Sequence, residues 1–170
     1  LFNNLNTVYS YSIEKPEQTP DLILKLSDNL KHVLYESTED YISLEKEIQY
    51  IDNYIDFQKI RTQGIKQVIY NTSIDSFQHK IAPLLLITII ENAFKHSPPN
   101  SEIKISINVS DNVLKCSIQN EISSIKGQND YESIGLSNLK KRLELLYYDN
   151  YTLHIQESNP FTVTLHLNLV

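Results

Sequence analysis

A single cysteine, Cys116, leaves this chain unable to form an internal disulfide and excludes a zinc site built from several thiolates. A cytosolic setting is the expectation that follows. Glycine is scarce too, with only Gly64, Gly127 and Gly135, so a loop that must wrap closely around a ligand has little backbone freedom to use. Basic residues are outnumbered, 15 against 21 acidic, and the net charge of -6 argues against a nucleic-acid binder, with LKKRLELL (Leu139 to Leu146) left as a local basic cluster. No apolar run reaches the length of a membrane span and no signal peptide is recognisable, so membrane contact is expected only through segments outside this chain. Methionine is absent altogether, and the chain is expected to be a fragment whose natural start lies upstream.

What is present is a globular balance. Hydrophobic residues make up 41% and charged residues 21% of 170 positions, enough for one ordinary domain carrying a helical appendage. Ile23, Leu26, Leu30 and Val33 recur at spacings of three and four, as do Leu44, Ile48, Ile51 and Ile55. Both stripes predict bundle helices. Ser43 is the expected N-cap of the second, with Glu45 and Glu47 in its first turn complementing the helix dipole. Gly64 marks the expected boundary, giving a helical segment over 1–63 and a second unit over 64–170.

Beyond Gly64 the period changes to two. Ile103, Ile105, Ile107 and Val109 alternate with polar residues, and the same holds for Leu114 to Ile118, Tyr151 to Ile155 and Phe161 to Leu169. A weaker strand is expected over Lys66 to Thr72. Clean alternation predicts a mixed, mainly antiparallel sheet with one wet face. Helices are expected over Ile81 to His96, apolar nearly all round, and over Gly135 to Tyr148. The fold class is therefore α+β, a helical segment followed by a two-layer α/β sandwich, with a long polar loop over Glu121 to Ser133.

The stretch IIENAFKHSPP ends the most apolar helix in concentrated polar chemistry. Asn92, Lys95 and His96 share one helical face, and Glu91 flanks it. An amide oxygen and a carboxylate suit Mg²⁺, and a lysine neutralises phosphate oxygens, so the set suits a metal-bound polyphosphate. A plain i,i+4 ion pair between Glu91 and Lys95 is the competing reading. Downstream, SIGLSNLKKRL places Gly135 at a helix start, where free backbone amides attract anions. An ordinary helix start followed by a solvated basic face is the alternative. His154 and His166 fall on the polar faces of their strands, and solvated side chains are expected there.

The order of these parts carries a resemblance. Glu91, Asn92, Lys95 and His96 resemble the N box of the ATPase fold shared by gyrase, Hsp90, histidine kinases and MutL, and SIGLSNLKKRLELLY resembles its second glycine box. LFNNLN and ISLEKEIQYIDNYIDFQKIR, with Leu44, Glu47, Ile48, Tyr54, Ile55, Phe57 and Arg61 in place, resemble sensor histidine kinases of the LytS-like class. The resemblance implies that Asn92 coordinates Mg²⁺, that Lys95 and His96 contact ATP, and that Glu91 sits beside the metal or an attacking group. Gly135, Asn138 and Arg142 would approach the phosphates from the lid side, and Asn120 would stand where the family has an adenine-binding Asp. It further implies a homodimer through the N-terminal helices, a response regulator as partner, and the cytoplasmic part of an inner-membrane sensor. The phosphoacceptor histidine would lie two residues before Leu1, outside the chain. Asn120 in place of Asp, Ser133 in place of a glycine and the scarcity of glycine favour the alternative, a degenerate or non-catalytic dimeric module of the same fold.

Overall fold

The computed structural model describes residues 2–35, 39–122 and 134–170. Two helices, α1 (Phe2–Glu14) and α2 (Thr19–Tyr35), form a hairpin whose turn carries Pro16, which lacks the amide a continuing helix needs. A two-residue strand, β1 (Ile42–Ser43), leads into α3 (Leu44–Arg61). The Ser43 side chain accepts the Lys46 amide at 3.3 Å, so the expected N-cap is present.

The remainder is β2 (Gln67–Ile74), β3 (Lys80–Ile81), α4 (Leu85–His96), β4 (Glu102–Ser110), β5 (Val113–Asn120), α5 (Ile134–Tyr147), β6 (Tyr151–Gln156) and β7 (Phe161–Asn168). Apart from the short β3, this is the element order expected from the sequence. Five strands pair in the order β2-β4-β5-β7-β6, parallel only between β2 and β4. The β4–β5 turn places Asp111 and Asn112 at positive φ, as a tight two-residue hairpin requires. Ile103, Ile105, Ile107 and Val109 of β4 and Leu114, Cys116 and Ile118 of β5 are buried, which confirms the one-sided alternation. Burial and the nearby Glu47 carboxylate push the Cys116 thiol up to about 12, so it behaves as a core residue. His154 and His166 are exposed, as expected.

One core joins Ile48, Ile51 and Ile55 of α3 to Leu86, Ile89 and Ile90 of α4, the inward face of the sheet and Leu136, Leu139 and Leu143 of α5. A second, smaller cluster gathers Tyr11, Leu22, Leu26 and Phe57. Helix α3 therefore serves both, with Phe57 facing the α1–α2 hairpin. The expected boundary falls in the turn after α3, where Gly64 has φ +77; a Cβ there would meet nothing, so conformation alone asks for glycine.

Two expectations are corrected. The buried face of α2 runs through Leu22 and Leu26, whereas Ile23 is 50% exposed. Apolar residues occupy several faces of this helix, and the row that meets Phe57 is the one that becomes core. The apolar helix begins at Leu85 rather than Ile81, because Lys80 and Ile81 pair with Ser43 and Ile42 and Pro83 disfavours helical geometry at Ala82. The expected long loop lies, from Ser123 to Ser133, outside the described residues.

Candidate functional site

Helix α4 is buried along most of its surface. Leu85, Leu86, Ile87, Ile89, Ile90, Ala93 and Phe94 are enclosed, while Glu91 and Lys95 are exposed and Asn92 and His96 half-buried. The last two turns thus present one polar face, the one expected from the spacing. Glu91 keeps an exposed surface, yet its surroundings are dry enough that desolvation raises its pKa above the ordinary carboxylate value. Burial, and next the Glu91 carboxylate, also raise the hydroxyl pKa values of Tyr50 and Tyr54 on α3. Glu91 therefore lies toward α3. Tyr54 also meets Phe94 edge-on, with ring centroids 5.8 Å apart.

Both ends of α4 are held by charged side chains that the sequence reading did not assign to it. At the start, Leu84 holds a left-handed φ of 58 and no side chain of the helix's own N-cap accepts a hydrogen bond. Such a conformation costs about 1–3 kcal/mol in a residue with a Cβ. Compensation comes from Glu47, fully buried, whose two carboxylate oxygens accept the amides of Leu84 at 3.0 Å and Leu86 at 3.2 Å. Glu47 lies in the first turn of its own helix, as expected, and its carboxylate also reaches the positive end of α4. One signal was available, an acid on the apolar stripe of Leu44, Ile48 and Ile51.

At the other end, Lys66 Nζ donates to the carbonyls of Phe94 at 2.6 Å and Ser97 at 2.7 Å, matching a cation to the negative end of the dipole. Desolvation, and then Arg61, lower its pKa. Nothing local in the sequence distinguishes Lys66 from a solvated strand lysine.

The remaining expected site residues divide. Gly135 and Asn138 lie in the first turns of α5. Asn120 ends β5 with its side chain buried, paired between Ile103 and Phe161, and its Nδ2 donates to the Glu121 carbonyl at 2.9 Å. Arg142 stands apart from the polar face: its Nη2 donates to the Pro83 carbonyl at 2.9 Å, at the opposite end of α4. The eleven helical steps from Leu85 to His96 make that separation about 16 Å. Nearby, the Tyr147 hydroxyl accepts the Ala82 amide at 2.8 Å and the Tyr41 hydroxyl donates to the Leu146 carbonyl at 3.2 Å. So the second half of α5 is tied to the start of α4. Ser133 lies outside the described residues.

The donor set bears on which metal could be accommodated. No group of three or more His, Cys, Asp or Glu that could hold an ion occurs among the described residues. Magnesium needs few protein ligands when phosphates and water supply the rest. One amide oxygen, Asn92, with the Glu91 carboxylate beside it and Lys95 one turn on, therefore fits an ion delivered with a polyphosphate.

Known proteins resemble this chain in sequence and in fold. A family model described as histidine kinase matches residues 1–65. The sensor histidine kinase BtsS of Escherichia coli strain K12 is 26% identical over 173 residues, covering 98% of this chain and 31% of that protein. The similarity to histidine kinases thus spans almost the whole chain. A second relative, the sensor protein kinase HptS of Staphylococcus aureus strain USA300, is 25% identical over 170 residues, covering 91% of this chain and 33% of that protein. The chain spans about a third of the length of these curated relatives.

Histidine kinase structures share the fold. The catalytic domain of ThkA superimposes with a TM-score of 0.54 at 14% identity, over 75% of this chain and 94% of that one. ThkA in complex with the response regulator TrrA gives 0.56 at 14% identity, over 93% of this chain and 52% of that one. The likeness in fold therefore takes in the helices and the α/β layer together.

Proposed function

We propose that this chain is the transmitter portion of a two-component sensor histidine kinase, with residues 1–63 as the helical dimerisation segment and 64–170 as the ATP-binding domain. The observation that carries the reading is the polar face of α4, the one wet stripe on an otherwise enclosed helix. In this reading Asn92 supplies an oxygen to Mg²⁺, Lys95 neutralises phosphate charge, and His96 lies against the nucleotide. Gly135 and Asn138 approach the phosphates from the start of α5. Magnesium, when bound, offsets charge on the phosphate oxygens. The residues of this chain contribute positioning and charge neutralisation rather than covalent chemistry. The γ-phosphoryl group would pass to a histidine upstream of Leu1 and from there to a response regulator. A chain extended upstream through that histidine should become labelled from ATP with Mg²⁺, and lose labelling when the histidine is changed. Labelling that survives the change would show the acceptor to be elsewhere.

A homodimer through the N-terminal helices belongs to the same reading. Leu5, Tyr9 and Ile13, one stripe of α1, are 47%, 69% and 66% exposed, and Leu24 and Leu34 of α2 are exposed as well. Exposed apolar stripes of this kind mark interaction surfaces. Changing Tyr9 and Ile13 together to Lys should turn a dimer into a monomer in sedimentation velocity. An unaltered dimer would place the interface elsewhere.

One observation favours the second reading, a degenerate or non-catalytic module of the same fold. Asn120 lacks the charge of the family's Asp, and its amide group is engaged with the Glu121 carbonyl. Its buried oxygen can still accept from an adenine amino group. Absence of labelling in the extended chain, together with absence of ATP binding, would favour that module.

A further inference from the structure

The five residues Ala82 to Leu86 are gripped from two sides. Glu47 of α3 accepts the amides of Leu84 and Leu86, while Tyr147 of α5 accepts the Ala82 amide and Arg142 of α5 donates to the Pro83 carbonyl. Leu84 sits at the centre in a left-handed conformation, so this start is held by its surroundings rather than by local preference. A rigid helix transmits the placement of its first turn to its last, and the last two turns of α4 carry Asn92, Lys95 and His96.

We infer that Glu47 is a positioning residue: by fixing the start of α4 it sets how the polar face is presented, and it couples the helical segment to the nucleotide site through α3, α4 and α5. The inference rests on the Mg·ATP reading above. Coupling through a shared element is reciprocal, so what α3 does to ATP affinity, ATP must do to α3.

The test uses the full 170-residue chain. Glu47→Gln keeps the shape, but it turns one acceptor into a donor that faces a backbone amide. At a temperature where the variant is fully folded, Mg·ATP affinity should fall about tenfold, within the ordinary range of coupling between sites. Tyr147→Phe, which removes only the acceptor for Ala82, should shift affinity in the same direction by less, and carries the test if Glu47→Gln does not fold. Leu26→Ala, in the separate helical cluster, lowers stability as a control and should leave affinity unchanged. In hydrogen exchange, Mg·ATP should slow the α3 amides of the parent chain and not those of Glu47→Gln.

Wild-type affinity in both Glu47→Gln and Tyr147→Phe would overturn the inference and leave Glu47 a structural cap. Should the parent chain bind no Mg·ATP, the functional reading fails first, and exchange without nucleotide decides this one. Faster exchange in Glu47→Gln reaching Asn92 to His96 supports positioning; faster exchange confined to Leu84 to Ile87 overturns it.

Discussion

Asn92→Ala is expected to abolish magnesium-dependent ATP binding while leaving the fold in place. Asn92 sits half-buried in the penultimate turn of α4, on the one face not committed to the core. Alanine is the best helix former, so helix propensity at this position does not fall. What disappears is the amide oxygen proposed for Mg²⁺. Groups that merely support a metal ligand are worth about 10 to 100-fold in affinity, and loss of the ligand itself should reach at least about 100-fold. Equilibrium dialysis against labelled ATP, with Mg²⁺ and with chelator, measures this directly. An affinity within threefold of the parent, about the ordinary context-dependent scatter of such effects, would remove Asn92 from the site.

Phe57→Ala has the largest expected effect on stability. Phe57 is the largest fully buried side chain of the helical cluster, packed with Tyr11, Leu22 and Leu26. Truncating such a residue costs about 3–5 kcal/mol, a large share of the roughly 5–15 kcal/mol that holds a domain together. The loss should be local. Ile48, Ile51 and Ile55 keep α3 anchored in the main core, so the α1–α2 hairpin should detach first. Urea unfolding followed at both regions, with limited proteolysis of the hairpin, distinguishes the outcomes. A single unaltered transition, with a loss under about 1 kcal/mol, would mean that the cluster does not secure the hairpin.

The sequence made the sheet legible because one-sided burial leaves an alternation along every inner strand, as in Ile103, Ile105 and Ile107. The polar end of α4 was equally readable, since Glu91 to His96 breaks an apolar run. The start of that helix was not, because its position depends on a pairing between residues 42–43 and 80–81, far apart in the chain. On α2, apolar residues lie on several faces, and only contact with Phe57 selects Leu22 over Ile23.

Charged residues were the least legible. Glu47 reads as a first-turn acid and Lys66 as a strand-edge lysine, yet each reaches backbone groups of a distant helix. Arg142 reads as a phosphate contact from its place after Gly135, whereas its guanidinium is bonded to Pro83. Long side chains carry their function several ångströms from their own backbone, beyond what spacing along the chain can encode.

The most direct test of the central claim is isothermal titration of the 170-residue chain with ATP, in Mg²⁺ and again in chelator. Saturable binding in Mg²⁺, lost in chelator and lost in Asn92→Ala, is the expected result. Absence of binding at millimolar ATP with Mg²⁺ present would contradict it.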